Sequence, residues 1–178
     1  NQPLLKRMIL EAPGTYHHSL VVSNIAEAAA DAIGANALLT RVGAYYHDIG
    51  KLDQPEYFTE NQIAMGNKHD DLEPSMSRLV VLNHVKEGME MAKKYRLNPI
   101  IANFIPEHHG TSLMHFFYQK ALAEADDQSE VKEENYRYPG PKPQRKETAI
   151  VLLADSAEAA SRSLEELTPT RIEEVVRK

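Results

Sequence analysis

The feature that most constrains the fold of this chain is the spacing of its apolar residues, which recur every three or four positions along nearly its whole length. That spacing matches the 3.6-residue period of an α-helix, whereas the alternating pattern of strands is scarce. Glycine and proline number 8 and 10 and lie mostly between the periodic segments. The pattern therefore predicts an all-α fold, a bundle of helices.

Capping and turn residues divide the chain into segments. Helices are predicted over about residues 16–34, 36–48, 73–95, 98–110, 112–125 and 144–164, and Thr168-Pro169 begins a short last one. In the first helix we expect Thr15 as N-cap and a buried stripe that includes His18, Ile25 and Ile33. Lys51 to Asp71 is predicted to be a loop.

Residues 122–143 interrupt the helical pattern within what we predict to be a single domain of residues 1–178. Between Glu124 and Glu134 there are six acidic residues, which favours a solvated loop. Tyr136 to Pro143 is rich in proline and must be extended, because proline fixes φ and removes backbone donors. Its aromatic and cationic side chains suit stacking on bases or contact with phosphate, and a rigid segment packed over the helices is at least as well supported.

Composition excludes several classes of function. The chain has no cysteine, which excludes disulfides, thiolate zinc sites, iron–sulfur clusters and cysteine nucleophiles. Its net charge of −6 argues against a binder of duplex DNA or RNA, which usually carries a basic surface. The first residue is Asn rather than Met, so we expect the sequence to be a piece of a larger protein.

Histidine is the unusual residue, with 8 in the chain. His18, His84 and the pair His108-His109 fall on apolar helix faces, and Asp155 follows the apolar run Ala149–Ala154. A buried carboxylate without a partner costs several kcal/mol or takes up a proton, so these groups need a shared explanation. Of the others, His17 is expected at the surface and His69 in a loop.

A metal site explains these residues together, because imidazole nitrogens and carboxylate oxygens suit Fe, Mn, Co, Ni or Zn. The candidate ligands are His18, His47, Asp48, His84, His108, His109 and Asp155. Seven ligands are too many for one ion, so two ions are predicted, with Asp48 as the bridging and catalytic carboxylate. Two ions about 3.5–4 Å apart suit in-line attack of a hydroxide on a phosphodiester. Lys51 is the second predicted catalytic residue, adding positive charge on the phosphate.

The sequence of motifs His18, His47-Asp48 and Asp155 on a helical scaffold resembles the HD phosphohydrolase superfamily. His84 and His108-His109 resemble its bimetallic branch. The longer stretches Pro13–Ser19, Gly43–Lys51, His108–Thr111, Arg137–Pro143 and Leu153–Ala159 are similar to the cytoplasmic domain of the seven-transmembrane HD receptors.

This resemblance implies a bacterial protein of the inner membrane whose HD domain lies in the cytoplasm, after N-terminal membrane and sensor segments. It implies a di-iron or di-manganese centre that hydrolyses cyclic di-AMP to linear pApA. By position, it implies that His18, His47, Asp48 and Asp155 hold one metal. Asp48, His84, His108 and His109 would hold the other.

Other functions remain open from the sequence. The related HD-GYP enzymes cut cyclic di-GMP, but they typically continue the paired histidines with Glu, where this chain has Gly110. A nucleotide phosphatase and a diiron oxygenase use similar ligands. A nucleotide-binding sensor without turnover is the non-enzymatic alternative.

Overall fold

The structure is a computed structural model, and it describes residues 2–62, 66–164, 166 and 168–177. Within these residues, helices and short 3₁₀ turns account for the regular structure, and the only β-pairing is an isolated bridge between Leu113 and Arg137. The helices are α1 (Pro3–Glu11), α2 (Pro13–Ala32), α3 (Ala37–Tyr46), α4 (Pro74–Lys94), α5 (Pro99–Ala102), α6 (Phe104–Glu107), α7 (His115–Glu124), α8 (Lys146–Arg162) and α9 (Pro169–Val176). The predicted all-α fold is confirmed.

The start of the chain differs from the sequence prediction. Helix α1 was not predicted, yet it buries Leu4 and Met8. Helix α2 begins at Pro13, which suits a first helical position because proline has no N–H to lose there. Thr15 is therefore inside the helix and buried, and the prediction that it caps the helix was wrong.

The buried face of α2 is rotated from the predicted stripe. It consists of small and polar residues, namely Thr15, His18, Ser19, Val22, Ser23, Ala26 and Ala30. Ile25 and Ile33 are instead 42% and 58% exposed. Small side chains let α3 and α8 approach α2 closely, and this tight packing outweighs the larger hydrophobicity of the isoleucines.

The helix predicted over 98–110 is broken into α5 and α6 at Asn103. Pro106 explains the break, since it has no N–H to donate to the carbonyl of Ala102 four residues earlier. The loop predicted for Lys51 to Asp71 contains short 3₁₀ turns. Its residues 63–65 lie outside the described part of the chain.

Within the described residues, two hydrophobic clusters form the core. One joins α1, α3, α4, α5 and α6 through residues such as Met8, Tyr46 and Ala92. The other joins α2, α3, α6 and α8 through residues such as Phe104 and Val151. Helices α3 and α6 contribute to both clusters, so the segments that follow them are held firmly in place. No helix in the described part of the chain is long and apolar enough to cross a membrane.

Candidate metal centre

Five helical segments bring the predicted ligands together. They are His18 on α2, His47 and Asp48 after α3, His84 on α4, His108 and His109 after α6, and Asp155 on α8. Their ligand atoms form two groups, Asp48–His84–His108–His109 and His18–His47–Asp155, and within each group the atoms lie within 4.8 Å of one another. All seven residues predicted from the sequence thus occupy one place in the fold.

Two glycines allow this convergence. A Cβ at Gly50 would overlap the backbone carbonyl of His84, so only glycine lets the segment after Asp48 lie against α4. Gly110 has φ +53, a left-handed conformation that glycine adopts without strain. It turns the chain directly after His109.

The Asp48 carboxylate lies at the middle of the centre, and its two oxygens face different histidines. Oδ2 is 3.3 Å from His47 Nε2 and 3.5 Å from His18 Nε2. Oδ1 is 3.5 Å from both His84 Nε2 and His108 Nε2. Ligand atoms of one ion are about 3–3.5 Å apart when each bond is about 2.1 Å, so the spacing on both sides suits a shared ion.

The inward-facing atoms have no hydrogen-bond partner. Nε2 of His18, His47, His84 and His108 and Oδ1 of Asp48 are all buried and unpaired within the described structure. Buried polar atoms are normally satisfied, so a cluster of unpaired ones needs a ligand. This donor set fits divalent metal ions, because each atom offers a lone pair to the same enclosed space once His18 has lost its proton.

The outward-facing nitrogens fix the rings. Nδ1 of His47 contacts the Ala44 carbonyl at 2.7 Å, Nδ1 of His108 contacts the Ile105 carbonyl at 2.7 Å, and Nδ1 of His84 contacts the Val81 carbonyl. A carbonyl accepts only from a protonated Nδ1, which leaves Nε2 with its lone pair. Such contacts set the tautomer of metal-binding histidines.

Local charges keep the candidate ligands in a binding-competent form. Burial lowers the pKa of His84 to about 4, so this imidazole is neutral at pH 7. Burial, His108 and His84 also hold the pKa of His109 well below its usual range. For Asp48, burial disfavours the carboxylate, but Lys51 and His47 outweigh burial and lower its pKa.

His18 is the exception among the candidate ligands. Burial opposes its protonation, but the carboxylates of Asp155 and Glu158 raise its pKa to about 9. A metal ion that binds His18 at pH 7 must therefore displace a proton.

Lys51, the other predicted catalytic residue, lies beside the centre in a buried ion network. Its ammonium group is 2.8 Å from Asp48 Oδ2 and 2.7 Å from Glu60 Oε1. These two carboxylates raise its pKa against the effect of burial, so it stays charged. Of the remaining histidines, His17 is exposed, and Nε2 of His69 donates to the Tyr57 carbonyl away from the clusters.

Sequence reasoning missed two carboxylates at the centre. Glu158 contacts Nδ1 of His18 at 2.8 Å through Oε2 and pairs with Arg162 at 3.0 Å. Its position three residues after Asp155 on a helix was a signal, because that spacing places both on one face. The other is Glu60, the partner of Lys51. It lies in a 3₁₀ turn, where no helical periodicity marks a residue as buried.

The sequence and the fold match known proteins. The HD-domain family profile matches residues 15–160, which is most of the chain. The chain belongs to the HD-domain family. Over 99% of its length, this HD domain is 50% identical to the protein named cyclic-di-AMP phosphodiesterase PgpH from Bacillus subtilis. Over the same share it is 52% identical to the protein of that name from Listeria monocytogenes. The HD domain covers 24% of each, so it spans about a quarter of the length of the curated relatives it matches.

A solved structure extends the match to three dimensions. It is the crystal structure of the L. monocytogenes phosphodiesterase PgpH HD domain in complex with cyclic-di-AMP. The two chains are 51% identical and superpose with a TM-score of 0.94, over 99% of this chain and 81% of that one. The resemblance to the HD superfamily inferred from the motifs is therefore confirmed.

Proposed function

We propose that this HD domain is a metal-dependent phosphodiesterase that hydrolyses cyclic di-AMP to linear pApA. The observation that carries the proposal is the Asp48 carboxylate, which presents one oxygen to His18 and His47 and the other to His84 and His108. Such a shared carboxylate suits a pair of ions, and a pair of ions suits phosphodiester hydrolysis. The substrate follows from the relatives, which are named for cyclic di-AMP, and from the related crystal structure that contains it.

Two divalent ions are proposed at the centre. Asp48 would be shared, with His84, His108 and His109 completing one site and His18, His47 and Asp155 the other. We propose iron or manganese, which accept this mixture of imidazole and carboxylate donors. When bound, the ions supply an activated water and neutralise charge on the phosphate oxygens.

The protein's own groups supply orientation and charge balance. Asp48 and Asp155 together contribute two negative charges, which would leave a two-ion centre positive overall and attractive to an anionic phosphodiester. Lys51 adds a fixed cation next to Asp48. We propose that its ammonium group, which has three donors and uses two on carboxylates, directs the third toward a phosphate oxygen.

A turnover assay tests the proposed function. Metal-depleted protein is reloaded with Mn²⁺ or Fe²⁺ and incubated with cyclic di-AMP, with cyclic di-GMP in parallel, and the products are separated by chromatography. We expect metal-dependent formation of pApA and slow or no cleavage of cyclic di-GMP. Binding of cyclic di-AMP without product under either metal would contradict the phosphodiesterase and favour a sensor.

The surroundings of this domain are a separate proposal. Because its motifs resemble the cytoplasmic domain of the seven-transmembrane HD receptors and the relatives are about four times longer, we propose that the domain is the cytoplasmic part of a bacterial inner-membrane protein. Its N-terminal membrane and sensor segments would then lie in the same chain.

Glu158 gives a prediction for one of the two sites. Glu158→Ala removes the carboxylate at Nδ1 of His18, so this ring loses the contact that orients it. We expect the affinity for the ion on the His18 side to fall about 10–100-fold, the usual effect of losing such an outer partner. Competition titration with a chelating dye measures both ions. Glu147→Gln on the same helix, where the carboxylate instead accepts from the Asn36 N–H, is the control and should bind both ions normally.

A further inference from the structure

His109 is held differently from the other imidazoles of the centre. His18, His47, His84 and His108 each have a hydrogen-bond partner at Nδ1, whereas the described structure contains no hydrogen bond from either nitrogen of His109. It is also the most exposed of the five, with 21% of its side chain accessible. Something other than a hydrogen bond must fix the direction in which its lone pair points.

Stacking supplies that constraint. The Tyr138 ring lies nearly parallel to the His109 ring, with centroids 4.0 Å apart and planes inclined by 21°. His108 contacts the same imidazole at 3.8 Å with an inclination of 45°. Tyr138 is itself buried, so its ring cannot swing away without opening the domain. The His109 ring is thus confined by two aromatic neighbours.

The extended segment that carries Tyr138 is attached to the same stretch of chain as His109. Tyr138 N–H donates to the Ser112 carbonyl at 3.0 Å, and Met114 N–H donates to the Tyr136 carbonyl at 2.8 Å. The Arg137 guanidinium donates to the Thr111 carbonyl at 2.9 Å. These bonds connect residues 136–138 to residues two to five positions beyond His109, so the two rings are held as one unit.

We propose that Tyr138 is a positioning residue of the candidate metal centre and acts through its ring on His109, which it holds in the orientation that binds an ion together with Asp48, His84 and His108. The proposal rests on the metal centre of the proposed function. In this proposal the segment Tyr136–Pro143 is a rigid segment packed over the helices, and it is not a platform on which a nucleotide base stacks. Both tyrosines of the segment are buried, so neither presents a free face for a nucleotide base.

The proposal assigns the positioning role to the aromatic ring of Tyr138 and none to its hydroxyl. Stacking needs only the aromatic ring, so Tyr138→Phe should bind both ions within about twofold of the wild-type affinity. Tyr138→Leu keeps an apolar side chain but removes the flat surface. The affinity of Tyr138→Leu for the ion on the His109 side should fall about 10–100-fold. The ion held by His18, His47 and Asp155 should bind as before.

Tyr136→Leu is the matched control. Tyr136 lies two residues earlier in the same segment, is equally buried and packs on Tyr118 at 5.8 Å rather than on a histidine. Its loss should lower the melting temperature about as much as Tyr138→Leu and leave both metal affinities unchanged. The comparison separates positioning of His109 from general support of the segment.

Competition titration of metal-depleted protein with Mn²⁺ measures the two affinities. Long-range ¹H–¹⁵N NMR of the imidazoles adds a readout without metal. His109 should give sharp ring resonances in wild type and Tyr138→Phe, and exchange-broadened ones in Tyr138→Leu, because loss of the stacking partner lets the ring change its orientation. If Tyr138→Leu does not fold, Tyr138→Met, which keeps the side-chain length, takes its place.

The outcomes are distinguishable. Wild-type affinities in Tyr138→Leu, or an equal loss in Tyr136→Leu, would overturn the positioning role and leave the metal centre standing. Wild-type protein that binds no pair of ions would overturn the metal centre itself and the positioning role with it.

Discussion

Asp48→Ala is expected to remove both metal ions together and to lower hydrolysis of cyclic di-AMP by more than about 10³-fold. The loss exceeds the 10²–10³-fold effect of removing one hydrogen-bond donor to a transition state, because a shared ligand supports both ions and all of their chemistry. The geometry gives the reason, since each Asp48 oxygen faces a different pair of histidines. Metal content after dialysis, measured by elemental analysis, and pApA formation are the two readouts.

Two further variants make this result specific. Asp48→Asn keeps the side-chain volume but removes the charge, so it should retain the fold and still lose both ions. Asp53→Ala removes an exposed carboxylate five residues later and should keep full metal content and activity. A metal ion that binds only the folded protein raises its melting temperature. Added Mn²⁺ should therefore raise the melting temperature of wild type and Asp53→Ala, and leave that of the two Asp48 variants unchanged. Loss of one ion and retention of the other in Asp48→Ala would show that Asp48 serves a single ion.

Three of the candidate ligands were predictable because each is a polar residue where the helical pattern requires an apolar one. His18 and His84 stand out on buried faces, and Asp155 follows six apolar residues. Helical periodicity alone gives these positions, and it needs no knowledge of how the helices pack. Adjacency gave the rest, since His47-Asp48 and His108-His109 each follow a periodic segment.

What the sequence did not reveal depends on packing between distant segments. The prediction for α2 counted Ile25 and Ile33 as core because they are apolar, but close contact with α3 and α8 favours the small residues on the neighbouring face. Helix α1 forms because Leu4 and Met8 meet Tyr46 and Ile49, partners some forty residues away. Tyr138 was recognised as aromatic and extended, but only the folded segment shows that its ring meets His109.

Lys51→Met gives the second large effect, this time on stability. Lys51 is the cation between the buried carboxylates of Asp48 and Glu60, whose side chains are 2% and 7% exposed. Removing one partner of a buried ion pair costs about 3–5 kcal/mol, because the remaining charges stay in a medium that solvates them poorly. We expect metal-depleted Lys51→Met to lose about that much free energy of unfolding in urea. Lys68→Met is the control, since its pair with Glu56 is exposed and worth about 1 kcal/mol or less.

The double variant Lys51→Met/Glu60→Gln separates this structural role from the proposed role on the phosphate. The introduced amide carries no charge and keeps an oxygen for the Thr15 hydroxyl, so the double variant should recover at least about 1 kcal/mol over Lys51→Met. If Lys51 also places charge on the phosphate, kcat should stay about 10²-fold below wild type although stability has returned, because the lost interaction strengthens as negative charge develops on the phosphate in the transition state. Recovery of kcat in step with stability would assign Lys51 to the fold alone. The metal content of the double variant completes the argument, since both ions must be present before a low kcat is attributed to the missing ammonium group.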